Sequence, residues 1–356
     1  SGFYCVGCEE FKTEKNLVNG ECPEHPGKFL EEIKEENYFF RLSAYRDQLL
    51  ELIESGKLKI IPEIRKNEIT SFIRGGLEDF SVSRTAVRAK GWGIPVPDDP
   101  DQYLYVWYDA LANYITALGY ATDADVYQKY WVSAEQKTHI VGKGINRFHT
   151  IYWPAMLLSA GVPLPTTVFV HGYVTSDGRK MSKSTGNVID PNEPIDRYGV
   201  DAVRYFLLRH GHPTEDFDFT DERCHEWYTA NLTNGLGNLV ARVMKLAETH
   251  LEEPIARPEP SPFPQEYWDM INAFEFNRVM DLIWERIQAL DERITREEPF
   301  RIVKENIKKG RTLIEELATE LYQIGHLLNP FMPTTSEIIK KAVLENKKPE
   351  NLFPRL

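Results

Sequence analysis

Long apolar runs are missing from the 356 residues. No stretch of about 18 consecutive apolar residues occurs, which excludes a membrane-spanning helix of ordinary length. Cysteine is scarce, with four in the whole chain, too few for a disulfide scaffold at this length. An excess of positive charge is also absent. Lysine and arginine total 42 against 54 aspartates and glutamates, a net charge of −12. That excludes a uniformly basic surface. A local basic site remains open, because steering depends on where charges sit. The opening residues Ser1–Phe11 have neither the basic start nor the apolar core of a signal peptide. Internal repeats and low-complexity tracts are lacking too. These absences lead us to expect a cytoplasmic protein in a reducing setting. What is present, 42% apolar, 12% aromatic and 27% charged residues, is the composition of ordinary globular protein. The length suggests two or three domains.

Three of the cysteines crowd the N-terminus. Cys5, Cys8, Cys22 and His25 form a Cys-x-x-Cys pair, a gap of thirteen residues, and a Cys-x-x-His pair. Two tight pairs closed by a loop suit a tetrahedral zinc ion, each pair gripping the metal from one turn. Gly7, Gly20, Pro23 and Pro26 supply turn residues. Three thiolates and an imidazole leave no open coordination position, so the site reads as structural. The competing reading is a redox Cys-x-x-Cys with free thiols. Cys224 stands alone in a helical stretch and reads as a small buried apolar residue.

Periodicity organises the rest. Helical spacing marks 38–53 and 62–73, each closed by glycine. YLYVWY at 103–108 has the look of a strand and runs into an apolar helix over 110–118. A short strand over 139–141 ends in Gly142-Lys143-Gly144, a very apolar helix covers 148–160, and a second strand covers 167–174. This alternation predicts parallel βαβ units covered on both faces. Beyond residue 221 helical periods dominate, over 222–251, 265–290, 299–328 and 335–344, with a proline-rich connector at 254–264. That half reads as an all-α bundle.

The segment TSDGRKMSKSTGNVIDP, 175–191, follows a strand and opens with an Asp-Gly turn. Arg179, Lys180 and Lys183 stand among small and hydroxyl residues. Such a loop lets backbone approach an anion while lysines supply point charges, which suits a polyphosphate. A generic lysine pair in a loop would more often be a solvated surface. The pentad Lys180-Met181-Ser182-Lys183-Ser184 is more specific, being the second signature of class I aminoacyl-tRNA synthetases.

The surrounding residues narrow the match. VWYDALANYITALGY (106–120), INRFHTIYWPAMLLSAGVPLP (145–165), HGYVTSDGRKMSKSTGNVIDP (171–191), WGIPVP (92–97), NGLGNLVAR (234–242) and the cysteine knuckle together resemble the methionyl-tRNA synthetase family, bacterial type. The resemblance covers essentially the whole chain in one order. Several separated motifs agree, where any single one would be only a hypothesis.

The resemblance implies an α/β plus all-α fold: the second half of a class I Rossmann-like catalytic domain with a zinc-knuckle connective peptide, then an α-helical anticodon-binding bundle. The implied boundaries are 1–80 for the connective peptide, with its knuckle at 1–37, and 81–167 for the Rossmann-like half. A stem-contact region with the KMSKS loop follows at 168–221, and the anticodon domain at 222–356. The implied activity is methionine–tRNA ligation: ATP, taken with Mg, activates L-methionine to methionyl adenylate, and the methionyl group passes to tRNA(Met). Lys180 and Lys183 would be the catalytic cations on the phosphates. Gly142, Lys143, Gly144, Met181, Ser182 and Ser184 would complete the ATP contacts. Trp107, Ala110, Tyr114, Phe148 and His149 would form the methionine pocket, an aromatic setting that suits a polarisable thioether. Asn238 and Arg242 would read the anticodon, with Phe300 offering a stacking face. Solvated helix faces and ordinary core packing are the competing readings for these residues.

Three departures qualify the match. The first class I signature, HIGH, is not found, and Ile324-Gly325-His326 lies in a helical stretch with no strand before it. We therefore expect the chain to lack the first half of the Rossmann-like domain, either as a fragment or as one piece of a split enzyme with its other half in trans. Gly144 stands where many relatives carry an Asp near the ATP ribose. Ala86–Lys90 resembles a small insertion. Two further functions stay open: an incomplete fragment that binds only zinc and tRNA, and a relative that charges leucine or valine. Bulky aromatics at Trp107 and Tyr114 argue against branched side chains.

Overall fold

The computed structural model describes the chain apart from residues 1, 6–9, 13–16, 24–26, 29, 34, 123 and 182–185. The chain divides into two units, Ser1–Val170 and His171–Leu356, each with its own core.

The first unit opens with β1 (Gly2–Cys5), β2 (Glu10–Lys12) and β3 (Leu30–Ile33), an antiparallel sheet ordered β2-β1-β3. β4 (Phe39–Phe40) leads to α1 (Arg46–Glu54), β5 (Lys59–Ile61) and α2 (Glu63–Arg74). β6 (Phe80–Ser81) pairs with β4. Next, β7 (Ser83–Thr85), β8 (Pro95–Val96) and β9 (Asp99–Leu104) form an antiparallel sheet ordered β7-β9-β8. α3 (Val106–Thr116) and the single turn α4 (Asp125–Tyr127) precede β10 (Thr138–Gly142), α5 (Trp153–Ala160) and β11 (Thr167–His171). β10, β11 and β5 make the central sheet, with β11 parallel to β5.

Burial along this sheet follows its neighbours. Val168, Phe169 and Val170 are consecutive and all buried, so both faces of β11 are covered. Ile60 and Val141 join the same core, against Leu49 and Ile53 of α1, Ile69 and Ile73 of α2, and Ile151 and Ala155 of the helix before β11. β10 differs. His139 and Val141 are buried, whereas Ile140 between them is 62% exposed. The expectation of coverage on both faces therefore holds at β11 and fails at β10.

Three boundaries in this region differ from the sequence reading. The helix expected over 38–53 starts only at Leu42, with a 3₁₀ turn leading into α1, because Phe39 and Phe40 are extended and pair with β6. The strand expected over 103–108 stops at Leu104, and Val106–Tyr108 open α3. Tyr105 is extended and caps that helix with no side-chain bond, so the start carries no sequence mark. The strand expected over 167–174 breaks at Gly172-Tyr173. A Cβ on Gly172 would stand 2.0 Å from the Glu215 carbonyl oxygen, an approach only glycine permits.

The second unit begins with β12 (Val174–Ser176) and β13 (Arg179–Lys180), an antiparallel hairpin, and β12 also pairs in parallel with β14 (Phe217–Asp218). α6 (Asn192–Tyr198) and α7 (Val200–Tyr205) lie between these strands in sequence. Then come α8 (Asp221–Trp227), α9 (Asn238–His250), α10 (Gln265–Asn272), α11 (Phe276–Glu297), α12 (Pro299–Glu305), α13 (Ile307–Leu328) and α14 (Pro333–Glu345). Leu239, Val240, Val243, Met244 and Ala247 form the buried stripe of α9, at the spacing a helix needs to present one apolar face. They share a core with Ile283 and Ile287 of α11 and Ile314, Leu317 and Leu321 of α13. Expected helices break at Phe274, where φ is 61°, and at Asn306, which caps α13 by accepting a bond from Lys309 N at 3.0 Å. Ile324-Gly325-His326 lies inside α13. Among the described residues no helix is long and apolar enough to cross a membrane.

Candidate functional site

The first unit gathers an aromatic cluster from α3 and the helix after β10. Trp107, Ala110 and Tyr114 recur at three- and four-residue spacing and so share one face of α3. β10 ends in Gly142, then Lys143–Ile145 form a 3₁₀ turn, and Phe148–Tyr152 wind as a π-helical turn leading into α5. A π turn widens the helix where Phe148 and His149 project, a feature frequent at functional sites. The Trp107 and Phe148 rings stack with centroids 4.1 Å apart and planes 15° apart. Trp107, Ala110, Tyr114 and Phe148 are half-buried, and His149 is fully buried.

One polar pair is set into this wall. The Tyr114 hydroxyl and His149 Nε2 are 2.9 Å apart. His149 Nδ1 donates to the Ile145 carbonyl at 2.9 Å. That bond fixes the tautomer, so Nε2 accepts and the Tyr114 hydroxyl donates. Burial lowers the His149 pKa, opposed in part by the bond to Ile145, and burial raises that of the Tyr114 phenol. Behind them lies His139, a residue that sequence reasoning passed over. Its ring centroid is 4.1 Å from that of Tyr114, and its Nε2 accepts from Trp153 Nε1 at 3.2 Å. Burial, and then the neighbouring His149, push its pKa down to about 4. The wall is therefore uncharged at neutral pH: apolar faces with one oriented hydroxyl–imidazole pair. The available signal for His139 was its place in the strand before the Gly142-Lys143-Gly144 turn, two residues from buried Val141. Gly142 and Lys143 are half-buried and Gly144 is exposed.

In the second unit the Asp-Gly turn forms as the sequence predicts. Asp177 and Gly178 both have positive φ, 52° and 70°, the geometry of a two-residue hairpin loop. Lys180 projects its ammonium 4.6 Å from the centroid of the Tyr173 ring. Met181 is half-buried. Ser182, Lys183 and Ser184 lie outside the described residues.

The helical bundle places Arg242 and Phe300 in one groove, with Lys245, Leu246, Ile294 and Lys348 also lining it. Phe300 is 44% exposed. Arg242 forms an ion pair with Asp291 of α11. Asn238 is exposed at the start of α9, one turn from Arg242, and is not among the residues lining the groove.

For the metal, half of the expected donor set is described. Cys5 ends β1, and Cys22 follows the tight turn closed by the Val18–Glu21 bridge. Both thiols are buried, as a closed structural site requires. Cys8 and His25 lie outside the described residues, and among the described residues no group of three or more metal-ligating side chains occurs. Cys224 is fully buried, and burial pushes its thiol up to about 12, which fits the inert role expected.

A sequence model of the tRNA synthetases class I (M) matches residues 1–244. The methionine–tRNA ligase of Caldanaerobacter subterraneus is 42% identical over the whole of this chain, and that of Thermotoga maritima is 38% identical over 98% of it. The chain spans 60% and 57% of those two proteins. Among solved structures, Mycobacterium tuberculosis methionyl-tRNA synthetase in complex with methionyl-adenylate superposes with a TM-score of 0.83 at 34% identity, over 95% of this chain and 69% of that one. Its free form gives 0.85 at 31% identity, over 100% and 76%. Fold and sequence together define a class I aminoacyl-tRNA synthetase. Within that class, the chain belongs to the methionyl-tRNA synthetase family.

Proposed function

We propose that the protein to which this chain belongs is a methionine–tRNA ligase. It activates L-methionine with MgATP to methionyl adenylate and transfers the methionyl group to tRNA(Met). The observation that supports this best is the Tyr114–His149 pair set in the uncharged Trp107/Phe148 wall. An unbranched thioether gains contact with aromatic faces, and its sulfur is a weak acceptor that a single oriented polar group can recognise. A charged amino-acid side chain would lose its hydration there without compensation.

In this reading Trp107, Ala110, Tyr114, Phe148 and His149 hold the methionine side chain. The methionine carboxylate attacks the α-phosphorus of ATP, and pyrophosphate departs. Lys180 and Lys183, with Met181, Ser182 and Ser184, hold the phosphates as charge builds on the leaving group. Backbone at Gly142, Lys143 and Gly144 approaches the nucleotide, glycine replacing a side-chain ribose contact at position 144. Residues 1–80, 81–167, 168–221 and 222–356 serve as connective peptide, catalytic half, stem-contact region and anticodon domain. Arg242, Phe300 and Asn238 meet the anticodon. Cys5, Cys8, Cys22 and His25 hold a zinc ion, which would fix the fold of the knuckle. Such an enzyme works where translation occurs, in the cytoplasm.

Methionine-dependent ATP–pyrophosphate exchange by the whole protein to which this chain belongs tests the reading. Exchange that requires methionine and is lost in Lys183→Ala supports it. Exchange driven equally by leucine or valine refutes the assignment of the pocket. A whole protein that binds the anticodon arm and zinc but never exchanges leaves only the binding-module reading.

A further inference from the structure

We infer that Asp218 and Tyr173 are positioning residues for Lys180, so that β14 and Tyr173 hold in place the hairpin that carries this lysine. The inference rests on the proposed role of Lys180. Asp218 Oδ1 accepts from the Gly178 backbone N at 2.8 Å and from the Thr175 hydroxyl at 2.9 Å. One carboxylate oxygen therefore ties the tip of the hairpin to its first strand. Those two bonds hold the Asp218 carboxyl below its ordinary pKa, the backbone bond from Gly178 foremost, with burial opposing them.

A second carboxylate acts two residues earlier. Asp216 Oδ1 accepts from the Tyr173 backbone N at 2.9 Å. Val174 and Thr175 pair in register with Phe217 and Asp218, so both carboxylates flank a formed parallel ladder. Gly172 lets the chain pass close enough to Glu215 for this to happen. Tyr173 is thereby fixed beside the hairpin, and its ring sits 4.6 Å from the Lys180 ammonium. Thr175 is the register partner of Lys180 on β13, so Tyr173 lies diagonally across from the lysine. A lysine in an exposed loop samples many rotamers. A tyrosine face under the ammonium restricts that freedom without neutralising the charge, which leaves it able to meet a phosphate. Charge-assisted bonds from backbone N–H to carboxylate are the stronger kind of hydrogen bond, which suits a fixed anchor.

The test compares Asp218→Asn, Asp218→Ala, Tyr173→Phe and Tyr173→Leu with the unsubstituted protein in methionine-dependent exchange, with KM for ATP, KM for methionine and kcat separated. An exposed cation–π contact of about 0.5–1 kcal/mol predicts that Tyr173→Leu lowers kcat roughly two- to fivefold while Tyr173→Phe does not. Asp218→Ala should lower kcat about tenfold or more. Asp218→Asn, which keeps an acceptor oxygen, should recover most of that loss. KM for methionine should be unchanged throughout. Trypsin cleavage after Arg179 and Lys180 should quicken in Asp218→Ala and not in Asp218→Asn, a readout independent of activity. If Asp218→Ala exchanges like the unsubstituted protein, or Tyr173→Phe fails as badly as Tyr173→Leu, the inference is overturned. If Asp218→Ala does not fold, the tyrosine pair and Asp218→Asn still decide. All variants are made in the whole protein to which this chain belongs, and absence of exchange in that unsubstituted whole protein would sink the proposed function itself and the inference with it.

Discussion

The buried histidine His139 makes the protein's acid sensitivity calculable. It is 6% exposed, and its neutral imidazole accepts from Trp153 Nε1 at 3.2 Å. Its pKa in the fold is about 4, against 6.5 for the free side chain. Because the folded value is depressed, the unfolded chain binds more protons between those two values. Stability therefore rises with pH across that window and is lost as pH falls through it. At about 1.36 kcal/mol per pH unit, the gap corresponds to roughly 3 kcal/mol lost by pH 4 from this one group. His149 adds a loss of the same sign. The perturbation to make is His139→Gln, which keeps an acceptor for Trp153 and removes the titration. Urea unfolding of both proteins, followed by tryptophan fluorescence from pH 4 to pH 7.5, gives the difference in stability at each pH. That difference should shrink by about 3 kcal/mol from neutral to acid, and the histidine resonance of His139 should stay neutral well below pH 6. A difference that stays flat across the range would refute the reasoning, since it would mean that His139 is as free to protonate in the fold as in the unfolded chain.

Three further outcomes are expected. Asp201 is buried, and its Oδ2 accepts from Thr335 N at 2.6 Å at the start of α14, so Asp201→Ala should cost about 1–2 kcal/mol in denaturant unfolding. Phe300→Ala should weaken binding of an anticodon stem-loop by about 1 kcal/mol or more, roughly fivefold in Kd by fluorescence anisotropy, with little change in salt dependence, because stacking carries no ionic term. Elemental analysis should find stoichiometric zinc that Cys8→Ser reduces, and chelation should lower the thermal stability of the first unit while leaving the helical bundle intact.

Local features were legible in the sequence because their causes are local. The Asp177-Gly178 turn needs positive φ at both positions, and Asp-Gly supplies it cheaply, so the hairpin could be read before it was seen. The stripe of α9 is a matter of period alone. The failures fall at boundaries whose signal was absent or masked. Tyr105 caps α3 without a side-chain bond, so the aromatic run before it kept the look of a strand to its end. Asn306 was a readable cap inside an otherwise continuous helical period, and the apolar pattern on both sides obscured it.

The site divides along the same line. Tyr114 and His149 stand 35 residues apart, and nothing in their spacing announces a bond. Only resemblance to a family put them in one pocket. His139 escaped even that, because a single histidine in a strand has no period of its own and its role depends on which rings fold over it. The same holds for Asp218, 40 residues beyond the glycine whose amide it accepts. A lysine-rich loop can be found by inspection, since its chemistry is written in consecutive residues. What holds such a loop still is supplied from a distant strand by groups with no local signature. The residues that orient a reacting group are therefore the ones a sequence conceals best, and mutating them separates a loop that merely carries charge from one that delivers it to a fixed place.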